Sequence, residues 1–221
     1  MPSFFGSTFT QSLWADIDHI LLVYVGSAAE FPLVEENHWL FYTNKLPSAP
    51  LERLVSTLAW NQKVMNVPES EALTLAQTIR GFHDLVEEER GHEEGEALKI
   101  SNQAFRAVGA MLIDYALLAE EYLSGKAVSA SDREVYYQDQ RRFFEAMGIA
   151  GWEASYEEYA QNRESEIKDV LQENAYTWKL FDAYRKDLGW FRYHMVVTFM
   201  GHFLPEAIRR KLNLKRHSWF T

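Results

Sequence analysis

The sequence predicts an all-α fold, a single helical domain over residues 1–221 with about six to nine helices. The first observation is that no proline lies between Pro68 and Pro205. Proline breaks helix interiors, so this long proline-free stretch favours long helices. Apolar residues also recur every three or four positions, the period of a helix. The one strand-like run, Val196–Phe199, has no comparable run nearby with which to pair.

The first two helices are predicted on either side of a loop region. One buried helix face is formed by Leu13, Ile17, Ile20, Leu21, Tyr24 and Val25. Pro32 and Pro47 then mark loops, and a second helix is expected to begin near Pro50, since the first helical turn tolerates proline. Two faces of this second helix are distinguishable, one with Leu51, Leu54, Val55 and Leu58 and the other with Arg53, Thr57, Trp60 and Val64.

The third helix is expected from the break at Asn66–Pro68 to about Arg90, with a histidine in its apolar face. The predicted buried stripe consists of Ala72, Leu75, Ala76, Ile79, His83 and Val86. His83 takes the place of an aliphatic residue, so its ring is expected to point inward. The acidic run from Glu87 to Glu96 contains two glycines and predicts an exposed loop.

The remaining helices are delimited by glycines and capping residues. A helix outlined by Ala104 to Ala119 closes at Gly125, and Ser131 with Glu134 predicts a capping box for the next one. That helix is expected to end at Gly148. Charged helices over about 155–188, an apolar helix over about 190–203 and a short helix from Pro205 complete the prediction.

Charge and composition exclude several classes of function. The formal net charge is -10 and the pI is about 5.2, which argues against nucleic acid and against an anionic membrane as partners. The chain has no cysteine, so disulfides, thiolate ligands and iron–sulfur clusters are impossible. The strongest apolar run, Ile20–Val25, is too short to span a bilayer, and the N-terminus has no signal-peptide pattern. A soluble, cytoplasmic protein is therefore expected.

Several short motifs resemble one family. The stretch Leu51–Thr57 followed by Ile79–His83 resembles the catalytic core of the mpaB/rubber oxygenase family, which includes the latex clearing proteins. Further similar motifs follow in order along the chain: Asp16–Asp18, Met111–Tyr115, Asp132–Tyr137, Met147–Ile149 and Leu204–Arg209. Together they cover the chain from about Asp16 to Arg210, and the sequence looks like a short member of that family.

The resemblance implies a haem b cofactor and names its ligand. In the family the histidine corresponding to His83 binds the haem iron, and the residues corresponding to Arg53 and Thr57 lie beside the cofactor. Arg53 is suited to anchor a haem propionate, because a guanidinium holds a carboxylate in a fork, or to stabilise charge on the oxygen side of the haem. Thr57 is suited to hydrogen-bond a propionate or bound oxygen. The implied activity is oxidation of an apolar organic substrate by O₂ or peroxide.

The sequence also departs from the latex clearing proteins. Those proteins are longer and carry a lysine, placed to ligate iron, directly before the threonine, whereas this chain has Ser56 there. A lysine-closed distal side and a polyisoprene substrate are therefore not expected. Glu35 and Glu36 lie in the region where those enzymes have a glutamate base. His194 and His202, on the apolar helix near the C-terminus, are candidates for lining a distal pocket.

Two other functions remain open at this point. The pairs Glu35/His38 and Glu89/His92 have the Glu-x-x-His spacing of di-iron carboxylate oxidases, although the two further glutamates of that signature are not evident. Periodicity alone also allows His83 to be an ordinary core histidine. A haem-binding or sensor protein without catalytic activity is the other alternative.

Overall fold

The computed structural model describes residues 4–38, 60, 63–64, 67–94 and 100–215, with the backbone alone for residue 38 and residues 85–94. This part of the chain contains eight α-helices and no β-strand, which confirms the all-α prediction and the expected number of helices. In chain order they are α1 (Thr8–Ala15), α2 (Ile17–Glu30), α3 (Glu69–Glu94), α4 (Asn102–Ser124), α5 (Ala130–Ala146), α6 (Tyr156–Asp169), α7 (Ala175–Phe203) and α8 (Glu206–Lys211). Two short 3₁₀ turns, Phe31–Leu33 and Glu35–His38, follow α2.

Asp16 separates the first predicted helix into two. Its backbone is extended (φ -94°, ψ 126°), and its carboxylate accepts a hydrogen bond from the Asp18 N–H at 2.8 Å. An aspartate N-cap satisfies a backbone donor that would otherwise be unpaired, so a new helix begins there. The single predicted face was therefore wrong: Ile17 is 59% exposed, whereas Ile20, Leu22 and Val23 are buried.

Helix α3 is longer than the sequence predicted. It continues to Glu94, so the loop expected over the acidic run was wrong. The run Glu87–Arg90 consists of strong helix formers, and a single glycine such as Gly91 costs a helix only about 1 kcal/mol. Local propensity here exceeds the effect of the glycine.

Helix α5 begins two residues before the predicted capping box. Ser129, not Ser131, is the N-cap, and its hydroxyl accepts a hydrogen bond from the Asp132 N–H at 3.1 Å. The glycine ends were predicted correctly, because Gly125 (φ 66°) and Gly148 (φ 79°) both have the left-handed conformation that closes a helix.

Helices α2 and α4 cross closely in the protein interior. These two helices form the most extensive helix pairing in the described part of the chain. Gly26 of α2 lies directly against the ring of Tyr115 on α4, where a Cβ atom would overlap the ring. Tyr115 is fully buried, so the absent side chain of Gly26 sets how closely the two helices approach.

Helix α7 is divided at Gly189 into two arms, 175–188 and 190–203. Gly189 has φ 72° and ψ 165°, a combination that is essentially restricted to glycine. The sequence-based boundary between a charged and an apolar helix at this position is thereby confirmed. None of the helices in the described ranges combines the length and apolarity needed to cross a bilayer.

We predict that Gly26→Ala lowers the free energy of unfolding by about 1–3 kcal/mol, the usual effect of overpacking a core. Gly81→Ala is the matched control, because nothing lies within 4 Å of its added Cβ on α3. That control should be neutral or stabilising by up to about 1 kcal/mol. Denaturant unfolding of both variants measures the difference, and equal stabilities would contradict the close crossing.

Candidate functional site

His83 lies in the middle of α3 and is half-buried. Its Nδ1 is 2.8 Å from the carbonyl oxygen of Ile79, one turn earlier in the helix. A carbonyl only accepts, so Nδ1 carries the hydrogen and donates it. In a neutral ring this assigns the lone pair to Nε2. Ligating histidines commonly have this arrangement, with one nitrogen fixed by a carbonyl and the other on the metal.

An aromatic ring from α4 packs against His83. The buried ring of Phe105, from the first turn of α4, meets the imidazole edge-on at a centroid distance of 5.0 Å. The Arg80 guanidinium lies over the Phe105 ring at 4.5 Å, and its Nε donates to Asp84 at 2.9 Å. His83 therefore faces the beginning of α4 across an apolar contact.

Arg53 and Thr57 lie outside the described residues, but two residues predicted on the same helix face lie within them. Trp60 contacts Phe82, the residue before His83, with ring centroids 5.9 Å apart. Val64 is buried in the hydrophobic core. Trp60 and Val64 therefore both pack against the hydrophobic core, and Trp60 lies beside α3.

A second polar site, which was not predicted from the sequence, is centred on Arg163 of α6. Arg163 is 4% exposed, and its guanidinium donates to Asp114 at 2.7 Å, to Glu166 at 2.9 Å and to Glu30. The Tyr115 hydroxyl donates to Glu30 at 2.8 Å, and the Tyr159 hydroxyl donates to Asp114 at 2.7 Å. We refer to Glu30, Asp114, Tyr115, Tyr159, Arg163 and Glu166 as the Arg163 cluster.

The Arg163 cluster holds three carboxylates around one guanidinium. Burial raises the pKa of Glu30 above its usual value; Arg163 opposes this shift and the charge of Asp114 adds to it. Burial, together with the charge of Glu30, raises the pKa of Tyr115 well above 10. The tyrosine hydroxyls therefore remain protonated and act as donors to the carboxylates.

A cavity of about 660 Å³ opens beside the Arg163 cluster, between α4, α6 and α8. Its walls include Leu117, Ile167 and Pro205, with Arg133 and Lys211 among the charged side chains. A smaller cavity of about 130 Å³ lies between α2 and the two arms of α7, and its walls are apolar. His83 is not among the residues that line either cavity.

None of the contacts described for the other predicted site residues involves His83. His194 is exposed on α7, where its ring contacts those of Trp190 and Tyr193 at 4.8 Å and 5.6 Å. His202 is half-buried. Glu35 is exposed and Glu36 half-buried, and the side chains of the proposed di-iron histidines, His38 and His92, are outside the described residues. No group of three metal-binding side chains occurs among those described.

The sequence contained a signal for part of the Arg163 cluster. Glu30 interrupts the apolar run Ala28–Val34, and a carboxylate there needs a buried partner. Asp114 and Tyr115 belong to one of the family motifs, yet their role was not apparent from that resemblance. No sequence pattern indicated that Arg163 is buried, because it lies among the charged residues of α6.

We predict that Glu30→Gln changes the pH dependence of stability. Because the pKa of Glu30 is raised in the folded protein, the native state holds this proton more tightly than the unfolded chain. The resulting stability is present below about pH 4.5, the ordinary value, and is lost as the pH rises through the folded pKa. The wild type should therefore lose stability relative to Glu30→Gln as the pH increases.

Unfolding free energies over a pH series measure this difference. Glu164→Gln is the matched control, an exposed acid on the same helix as Arg163, and its curve should parallel that of the wild type. Parallel curves for Glu30→Gln and the wild type would show that the carboxyl does not titrate differently in the folded state.

Comparison with known proteins agrees with the motifs. The family model for the catalytic domain of ER-bound oxygenase mpaB/B'/rubber oxygenase matches residues 21–220 of the 221-residue chain. No curated protein matches the chain, and no solved structure matches it. Because the family match covers almost the whole chain, this protein belongs to the mpaB/rubber oxygenase catalytic-domain family, a family of oxygenases.

Proposed function

We propose that the chain is a haem b-dependent oxygenase that uses O₂ or peroxide to oxidise an apolar organic substrate. The observation that carries this proposal is the hydrogen bond of 2.8 Å between His83 Nδ1 and the Ile79 carbonyl. It favours the tautomer in which Nε2 carries the lone pair, on a half-buried ring beside Phe105. Membership of an oxygenase family supports the reaction class.

His83 would bind the iron through Nε2. The Ile79 carbonyl orients the imidazole, because it accepts the hydrogen on Nδ1. Haem, when bound, supplies the activation of O₂ or peroxide, and the protein supplies the axial ligand and the polarity of the pocket.

The aromatic side chains near His83 would form the apolar wall of the pocket. Phe105 is held by the Arg80 guanidinium over its ring, and Trp60 and Phe82 contact each other edge-on. Such apolar surfaces favour an apolar substrate. An ordinary core histidine would make the same bond to Ile79, so the absorption spectrum distinguishes the two roles.

Arg53 and Thr57 are proposed to act on the polar edges of the cofactor. The sequence spacing predicts that both share a helix face with Trp60, which contacts the residue before His83. Arg53 would pair with a propionate, since a buried guanidinium requires a carboxylate partner. Thr57 would donate a hydrogen bond to a propionate or at the place where O₂ or peroxide reacts.

We predict that the purified protein shows a Soret band that is lost in His83→Ala. In His83→Gly, added imidazole should restore the band by occupying the vacated ligand position. His194→Ala is the control, an exposed histidine whose removal should leave the band unchanged. Circular dichroism of each variant separates loss of haem from loss of fold.

Two results would reject haem ligation by His83. One is a folded wild-type protein that remains colourless after reconstitution with haem. The other is a Soret band that His83→Ala leaves intact. Iron bound without porphyrin would instead support the di-iron alternative, and haem binding without oxidation of any substrate would support the sensor.

We also predict that Arg53 and Thr57 have separable effects. Arg53→Ala should weaken haem affinity about tenfold or more, the loss expected for a hydrogen bond to a charged group. Thr57→Val should retain haem and lower turnover about tenfold or more, since it removes a hydrogen-bond donor beside the reacting centre. Arg185→Ala and Thr74→Val are the exposed controls. Haem titration measures the affinity, and consumption of O₂ or peroxide measures the turnover. An equal loss of haem affinity and of turnover in either variant would contradict these roles.

A further inference from the structure

The beginning of the second arm of α7 exposes a large apolar surface. Directly after the break at Gly189, Trp190 is 71% exposed and Phe191 is 67% exposed, and one turn later Met195 is 55% exposed. Phe191 and Met195 are four residues apart and therefore share one side of the helix. We refer to Trp190, Phe191 and Met195 as the α7 elbow.

The opposite side of the same arm is already occupied. Tyr193, Val196 and Val197 line the apolar cavity between α7 and α2, and Met200 is buried. The first turns of this arm are therefore apolar on both sides, a pattern that is typical of a helix with both faces covered. Contiguous exposed apolar side chains of this size commonly mark an interaction surface.

The charges of α7 favour a lipid surface as the occupant. This helix carries Lys179, Arg185, Lys186 and Arg192 against Asp182 and Asp187, which gives four minus two, a formal charge of +2. The whole chain has a formal charge of -10, so α7 is a basic element on an acidic protein. The net charge of the whole chain argues against an anionic membrane. Salt, however, largely screens exposed charges farther than about 10 Å from the elbow, so the charges near the elbow determine its attraction to lipid headgroups.

The position of the basic residues fits anionic headgroups. Lys186 and Arg192 are exposed on either side of Trp190 and Phe191 in the sequence, whereas the neighbouring Arg185 is paired with Asp182 at 3.0 Å. Tryptophan favours the boundary between headgroups and acyl chains, because its ring is apolar and its N–H is polar. Flanking Lys and Arg side chains extend toward lipid headgroups while their stems remain apolar.

We propose that the α7 elbow docks on the surface of a bilayer that contains anionic phospholipid. Trp190, Phe191 and Met195 enter the headgroup region, while Lys186 and Arg192 contact the headgroups. Docking of this kind is peripheral, and no helix in the described part of the chain is long and apolar enough to cross a bilayer. This proposal does not depend on haem, and docking would bring an oxygenase next to apolar molecules dissolved in lipid.

Sedimentation of the full-length chain with vesicles tests the proposal. The wild type should bind vesicles of phosphatidylcholine mixed with phosphatidylserine about tenfold more tightly than vesicles of phosphatidylcholine alone, and salt should weaken this binding. Trp190→Ser/Phe191→Ser should reduce binding about tenfold or more, since two exposed aromatic rings no longer leave water. Lys186→Gln/Arg192→Gln should remove most of the preference for phosphatidylserine.

Matched controls separate docking from loss of fold and from loss of haem. Leu123→Ser/Val170→Ser removes two exposed apolar residues at the ends of α4 and α6 and should bind as the wild type does. His83→Ala should also bind normally. Acyl chains brominated near the headgroup should quench wild-type fluorescence, and Trp190→Phe should lose this quenching while it still binds.

Three outcomes would overturn the proposal. The wild type would sediment with neither kind of vesicle, or Trp190→Ser/Phe191→Ser would sediment like the wild type. Alternatively, the wild type would be a dimer in solution that Trp190→Ser/Phe191→Ser dissociates without any effect on vesicle binding, and the elbow would then be a contact between two copies of the chain.

Discussion

The guanidinium of Arg163 joins three helices inside the protein. It bonds Glu30 at the end of α2, Asp114 in the middle of α4 and Glu166 on its own helix, α6. Removal of one partner from a buried pair generally costs about 3–5 kcal/mol, because the remaining charge has no water to solvate it. The relative positions of α2, α4 and α6 therefore depend on this one side chain.

Tyr115 links this ionic centre to the packing of the core. Its ring fills the space that Gly26 leaves where α2 crosses α4, and its hydroxyl donates to Glu30 four residues later on α2. One residue thus sets both the distance between the helices and the direction of a buried carboxylate. The apolar crossing and the charged cluster stabilise the same pair of helices.

Features determined by neighbouring residues were predictable from the sequence. Gly125, Gly148 and Gly189 end or divide helices at the predicted positions, because positive φ is a property of the residue itself. The break at Asp16 and the length of α3 were not predicted, since capping and propensity compete closely there. The pairing of Glu30 with Arg163 was inaccessible, because 133 residues separate them in the chain.

The same difference between local features and contacts across the fold applies to the predicted site. The inward-facing stripe of α3 could be predicted from its period, and Ala72, Leu75 and Ala76 are buried while His83 is half-buried. No local pattern encodes how separate helices pack. The contact of Phe105 with the imidazole and that of Trp60 with Phe82 therefore could not be predicted. The ligand role of His83 remains a prediction that rests on family resemblance and on the Ile79 bond.

Helix α4 carries Phe105 near one end and Asp114 nine residues later, about 14 Å apart along the axis at 1.5 Å per residue. A helix of this length behaves as a stiff rod, so a tilt imposed at Asp114 displaces the ring that touches His83. The ion pairs in the interior and the geometry of the imidazole are thus mechanically connected. A substitution that tilts α4 at Asp114 would be tolerated only if a second substitution restores the position of Phe105 against His83.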